Sequence, residues 1–335
     1  MLRNLNWIAM LLAASLVGCA SDKNSAVLPA NPSSAITRQT NELLTPQQTI
    51  TGGQLAAAVD ANGFPLPGSL GGFTQLVYPV ALATRNTDLY IADSGSRRIY
   101  KFDLSTQILS VVPDEIARPW TQIQVGADRS LFVLDKIRAN IRVHSPGQSV
   151  RIIGDPSITG SLDGFVVGSP DGRIIATDKL SQRLIMFSPL GSLNGLGLPG
   201  WPLHSPADKN LSALGSLANV GRNLYAIDSL CRCVVEFDDT GRVNAHIGQG
   251  ELLQPQALAA DQFGHLFVAD AADRTLKVFL HGKLFTRYTV HALRANEISA
   301  LAVDGSMLYL ADGAGSRVLT FRIQTPMNTN SGFKQ

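Results

Sequence analysis

The sequence predicts an all-β fold, a six-bladed β-propeller with an N-terminal strand closing the last blade. Three observations carry that expectation. A short apolar strand ending in Asp recurs six times, and nine residues after each Asp comes a slot that is aromatic in five copies. The Asp-to-Asp steps are 42, 43, 50, 42 and 42 residues. A period of that size built only of short strands means radial repetition of a four-stranded unit. Finally, no apolar segment follows Ile323, while residues 73–78 form an orphan strand just before the first repeat. That orphan is expected to supply the outer strand of blade six and so lock the ring.

The elements follow in order. Residues 89–93 lead to Phe102, 131–135 to His144, 174–178 to Phe187, 224–228 to Phe237, 266–270 to Phe279 and 308–312 to Phe321. Each repeat reads as three strands and a weaker fourth. In the fifth, residues 257–260 precede a turn at Gly264, and then come strands at 266–270, 276–280 and 283–288. Gly264, Asp171-Gly172, Gly221 and Asp304-Gly305 stand where a hairpin needs tight backbone angles. First strands are small and apolar, as in residues 80–83 and 298–302, which suits the crowded inner ring.

The flanks differ. Residues 1–18 start with Arg3 and continue as an uncharged apolar run, too short to span a bilayer, which reads as a secretory signal. Residues 19–70 are rich in Ser, Thr, Asn, Gln, Pro and Ala and read as a flexible tether. The propeller is expected over 71–324 and a loose tail over 325–335. Without Arg3 the formal charge falls from +2 to +1. No clustered basic face of the kind nucleic acid requires is present. With Cys19 set aside, Cys231 and Cys233 are too few for a disulfide framework.

Leu16-Val17-Gly18-Cys19 resembles the lipobox of bacterial lipoproteins. The resemblance implies acylation of Cys19, with palmitate among the anchoring chains. Ala20 is not the Asp that marks inner-membrane retention in that family, so it also implies the outer membrane of a bacterial envelope. The pattern Pro-x-x-Ala, small turn, Leu-Tyr-Ile-Ala-Asp-Ser and then Arg-Ile-x-x-Phe resembles the NHL repeat, most clearly at 93–102 and 312–321. It covers about residues 73–323 and implies six blades. Repeats two and four depart from it: His144 fills the aromatic slot, and Asn140 and Cys233 stand where other repeats have Arg.

The six Asp residues 93, 135, 178, 228, 270 and 312 could ring a cation. The structural reading is preferred, in which each accepts hydrogen bonds from its following turn. Arg98, Arg183 and Arg317, five residues on, would pair with these carboxylates. Propeller geometry puts the lead-ins to first strands and the second-to-third strand turns on one face, termed the top. It is expected to be polar and mixed in charge, with Trp120 the exposed aromatic. Arg118, Trp120, Arg138, Asp163, Gln256, Arg274, Asn296 and Glu297 are the candidate binding residues. The insertion at 190–204, which contains Trp201, is expected to cover a blade edge rather than contact a partner. Cys231 and Cys233 are expected as ordinary thiols, although alternation puts them close enough to bond.

Some NHL-type propellers resemble peptide-amidating lyases that hold zinc through inner-strand His residues. None of the six His here stands at a first-strand lead-in. Glu297 and Asn296, with Asp163, faintly echo the calcium ligands of six-bladed lactonases. No cofactor is predicted, with Ca²⁺ belonging only to that alternative. The expected role is a membrane-tethered platform that binds an envelope protein or glycan through its top face. The alternative is a lactonase- or lyase-like enzyme with a metal in the channel.

Overall fold

The computed structural model describes residues 43–56, 60, 66, 70–113, 115–154, 161–168, 172–178, 183–188, 214–238 and 242–324. The lipobox with Cys19, the insertion at 190–204 and the tail lie outside the described residues. All regular structure among the described residues is β-strand. No helix among them is long and apolar enough to cross a membrane.

The described chain starts with β1 (Leu44–Ile50), β2 (Gly52–Ala56) and β3 (Leu70–Gln75). Blade 1 continues with β4 (Pro79–Arg85), β5 (Asp88–Asp93), β6 (Arg98–Asp103) and β7 (Ile108–Val111). Blade 2 holds β8 (Gln122–Val125), β9 (Leu131–Asp135), β10 (Asn140–His144) and β11 (Arg151–Ile153). Blade 3 contributes β12 (Leu162–Val167), β13 (Ile174–Asp178) and β14 (Arg183–Phe187). Blade 4 follows with β15 (Leu214–Val220), β16 (Asn223–Asp228), β17 (Cys233–Phe237) and β18 (Val243–Ile247). Blade 5 is β19 (Pro255–Ala260), β20 (His265–Asp270), β21 (Thr275–Leu280) and β22 (Lys283–Thr289). Blade 6 is β23 (Ala300–Asp304), β24 (Met307–Asp312) and β25 (Arg317–Ile323), completed by β1.

Ring closure is visible in the core. Buried apolar side chains form six clusters, and each lies between two neighbouring blades. Ile91 and Tyr100 of blade 1 meet Tyr309 and Val318 of blade 6, which closes the circuit. The recurring ring of the third strand is the wedge. Phe102, Phe187, Phe237, Phe279 and Phe321 are at most 4 % exposed, and each belongs to the cluster shared with the preceding blade. An aromatic side chain buries the largest apolar area available to one residue, so one such ring at five of the six interfaces sets their spacing.

An N-terminal strand closes the last blade, as the sequence predicts, but it is β1 and not residues 73–78. β1 pairs antiparallel with β25, Leu44 opposite Ile323 and Ile50 opposite Val318. Residues 70–75 instead form β3, a hairpin partner of β2, and β2 runs parallel to β7 on the outer edge of blade 1. The choice follows burial: Leu43, Leu44 and Ile50 are at most 5 % exposed, whereas Phe73 is 64 % exposed. Strands β1 and β2 therefore occupy part of the stretch read as tether. The middle of β1 is polar because an outermost strand faces water. Backbone pairing and a reciprocal bond pair between Thr320 Oγ1 and the Gln48 backbone hold it.

Candidate functional site

The repeated Asp residues assemble the top face. Asp93 accepts from the backbone N–H of Val77 and Tyr78 in the lead-in to β4 and from Ser96 in the following turn. Asp312 does the same with Asn296, Glu297 and Gly315, and Asp270 with Leu253, Gln254 and Ala272. Each carboxylate thus ties the lead-in to the turn of its own blade. The expected pairing five residues on is seen at Arg317, whose Nε donates to Asp312 at 2.9 Å. The turns share one backbone device. Arg97, Ala139, Arg232, Arg274 and Ser316, four residues after five of the six Asp, all have φ between 50° and 60°, the left-handed region that lets a tight turn re-enter the sheet.

The inner strands carry a second device. The pairing of β4, β12, β15 and β19 with their neighbours is interrupted by bulges near the top. Asp163 and Gln256 are bulge residues, and a bulge re-aims its side chain. Gln256 Nε2 donates to Ile298 O of blade 6, as Gln122 Nε2 does to Asp163 O of blade 3 and Ser299 Oγ to Pro79 O of blade 1. These side chains staple blade 2 to blade 3, blade 5 to blade 6 and blade 6 to blade 1.

The candidate binding residues fall into two groups. Around blade 2, Arg118, Trp120 and Arg138 line one cavity of about 230 Å³. A tight turn presents Trp120: Arg118 N–H donates to Thr121 Oγ1 at 2.7 Å, and Thr121 N–H to Arg118 O at 3.0 Å. The Arg118 guanidinium lies over the indole, 5.9 Å from the ring centroid. Arg138 pairs with Asp135 at 2.8 Å, and Lys136 bridges to Asp163 of blade 3 at 2.7 Å. Burial works to raise the Asp135 pKa, but the Arg138 side chain and two turn N–H groups outweigh it and hold the carboxyl below its ordinary range. Glu115 accepts from Arg142 at 2.5 Å and contacts His144 at 2.6 Å. The repeat's missing phenyl ring is thus replaced by a polar cluster beside the cavity.

The second group joins blades 5, 6 and 1. Arg274 donates to Asn296 O at 2.7 Å, and Tyr78 OH donates to Glu297 Oε2 at 2.8 Å. Of the calcium-like trio, Asp163 is paired with Lys136 and Glu297 accepts from Tyr78. No cluster of three or more metal-ligating side chains occurs among the described residues.

A channel cavity of about 200 Å³ runs between the inner strands. Its described polar walls are amides and hydroxyls, such as Gln122, Gln124, Ser216 and Ser299, with Lys136 its single charged group. Trp120 and Lys136 line both cavities.

The expectation of a polar top face needs correcting. Besides Trp120, exposed apolar side chains on that face are Val77, Tyr78, Ile116, Ile137, Leu230 and Leu253. Ile137 (66 %) and Leu230 (59 %) sit two residues after the strand-ending Asp, where blades 1, 5 and 6 have Gly95, Ala272 and Ala314. A large aliphatic residue in a tight exposed turn was the available signal. Cys231 and Cys233 are likewise corrected: they form a disulfide, with Cα atoms 5.3 Å apart.

No family model matches the sequence, and no curated protein matches it. Solved structures match the fold. A protein of unknown function from Bacteroides thetaiotaomicron superposes with TM-score 0.56 at 14 % identity, over 84 % of this chain and 77 % of that one. Virginiamycin B lyase from Staphylococcus aureus gives TM-score 0.53 at 12 % identity, over 75 % and 86 %. The WD40 β-propeller domain of Doa1 gives 0.53 at 12 %, over 84 % and 98 %. At these identities the likeness concerns architecture alone, and architecture hosts many functions. The chain is a six-bladed β-propeller.

Proposed function

We propose that this chain is a lipid-anchored envelope protein whose propeller docks a partner protein on its top face. One observation carries the reading: seven large apolar side chains among the described residues stand exposed on that single face. Exposed apolar side chains gathered on one face mark an interaction surface, whereas singly scattered ones need no explanation. Arg118, Arg138 and Trp120 add the residue types that dominate interface energetics. The lipobox-like segment ending in Cys19 supports the anchor and an outer-membrane location, and the NHL-like repeats support a recognition role. Confinement by the anchor raises effective concentration at the membrane, so a modest affinity suffices.

The enzymatic reading has less to stand on. One solved relative by fold is a catalytically inactive histidine-to-alanine form of virginiamycin B lyase. The described channel wall here carries no imidazole or carboxylate to move a proton.

Crosslinking in intact cells followed by tagged capture tests the proposal. The native chain is expected to retain one envelope protein, and Ile137→Asp/Leu230→Asp to lose it. Cys19→Ser is expected to release the protein from the membrane fraction. Capture indifferent to the top-face substitutions, or recovery of glycan alone, would overturn the platform reading.

A further inference from the structure

We propose that the blade 2 cavity receives the C-terminal residue of the partner, an apolar side chain carrying a free α-carboxylate. The inference rests on the top-face docking reading and adds the chemistry of the docked element.

Charge is the first argument. Lys136, Arg138 and Arg142 line the cavity with carboxylates against them: Asp163 at 2.7 Å, Asp135 at 2.8 Å and Glu115 at 2.5 Å. Arg118 differs. No described carboxylate lies within ion-pair distance of its guanidinium, which rests over the Trp120 ring. A cation–π contact leaves the donors of the fork free, which suits bidentate capture of a carboxylate. The cavity thus offers one uncommitted positive charge, and its complement is one negative charge.

Shape and polarity supply the second argument. A volume of about 230 Å³ matches one amino-acid residue rather than a folded surface or a helix. Trp120, Ile116, Ile137, Val133 and Leu134 contribute its apolar wall. Apolar burial and a carboxylate are therefore demanded within one residue of each other. A chain terminus ending in Leu, Ile or Phe supplies both on the same atom. The cavity opens onto the exposed apolar face, so the residues before the terminus would continue onto Val77, Leu253 or Leu230.

The experiment is calorimetric titration of the full folded chain with two acetylated pentapeptides that end in Leu, one a free acid and one a C-terminal amide. The acid is expected to bind at least tenfold more tightly. Arg118→Gln should erase that preference. Trp120→Leu should weaken both peptides, with an unchanged thermal melt showing that the ring still folds. Equal affinity for acid and amide, or binding of neither, overturns the proposal. So does preference for an amidated peptide carrying an internal Asp, which would assign the cavity to an acidic side chain. Failure here with cellular capture still lost in Ile137→Asp/Leu230→Asp would leave the platform standing and refute only the terminus. Failure of both would remove the platform itself.

Discussion

Replacing Asp93 by Ala tests the central claim about how the top face is built. Asp93 is fully buried, and its carboxylate accepts from Val77 N–H at 2.6 Å, Tyr78 N–H at 3.0 Å and Ser96 N–H at 3.0 Å. A hydrogen bond to a charged group contributes about 1.5–3 kcal/mol net. Three at the low end would exceed 4 kcal/mol. The discount comes from two sources: the carboxylate no longer has to be desolvated, and water reaches donors on the exposed lead-in. An expected loss of about 3–4 kcal/mol results. Asp93→Asn keeps one acceptor oxygen but turns an NH₂ toward a donor, so about 2 kcal/mol is expected. Urea unfolding followed by circular dichroism reads both, with the slope checked for constancy. The same substitution at Asp135, whose backbone bonds are both exposed and confined to its own turn, should cost about 1 kcal/mol. Asp93→Ala within about 1 kcal/mol of the native chain would refute the idea that these carboxylates tie lead-in to turn.

Asp228 is the exception among the repeated carboxylates: its Oδ2 is buried without a hydrogen-bond partner, and burial pushes its pKa up. The folded state therefore holds this proton more tightly than the unfolded chain, so stability present at low pH is lost as pH rises through the folded pKa. Asp228→Asn removes that penalty and should be neutral or stabilising at pH 7, with the difference shrinking toward pH 3 in melts across pH. Arg232, exposed at φ 53°, should tolerate Gly with a gain of up to about 1 kcal/mol and suffer about 1–2 kcal/mol from Val in urea titrations. Gly164 lies where an added Cβ would overlap the Gly215 carbonyl of the next blade. Backbone cannot step aside cheaply, so Gly164→Ala should cost about 1–3 kcal/mol in the same titrations. Ile50→Ala in the closing strand, where the side chain is 2 % exposed, should cost about 2–4 kcal/mol and raise protease sensitivity at the blade 6 edge.

The blade count and strand order were legible because each blade repeats one apolar period, and a repeated signal survives the degeneracy of any single copy. Five of the six Asp residues, 93, 135, 228, 270 and 312, accept from the turn that follows them, as the structural reading expects, since a group needed by every blade appears in every blade. What sequence could not yield was the closing strand. Most of β1 makes its contribution through backbone pairing, and its apolar contacts sit only at Leu43, Leu44 and Ile50, so no period betrays it. The site was half legible. Arg118, Trp120 and Arg138 do share a cavity, because lead-in and turn of one blade are neighbours by construction. Asp163 and Gln256 were picked for position, yet bulges turn them toward Lys136 and toward the next blade. A bulge is a pairing irregularity and leaves no residue signature. Ile137 and Leu230 escape a reading of the turns by charge, because what sets them apart is bulk.

The clasp between β1 and β25 also constrains the order of events at birth. Strand β1 is made long before its partner β25, with Gln48 and Thr320 separated by 272 positions. Blade 6 cannot be completed until β25 has emerged. Until then the last interfaces stay open, with strand edges and wedge phenylalanines bare. Contacts this distant along the chain slow folding and prolong exposure to aggregation. A propeller sealed by pairing β1 with β25 therefore waits for β25, and chains cut short before that strand are left as open rings for quality control to clear.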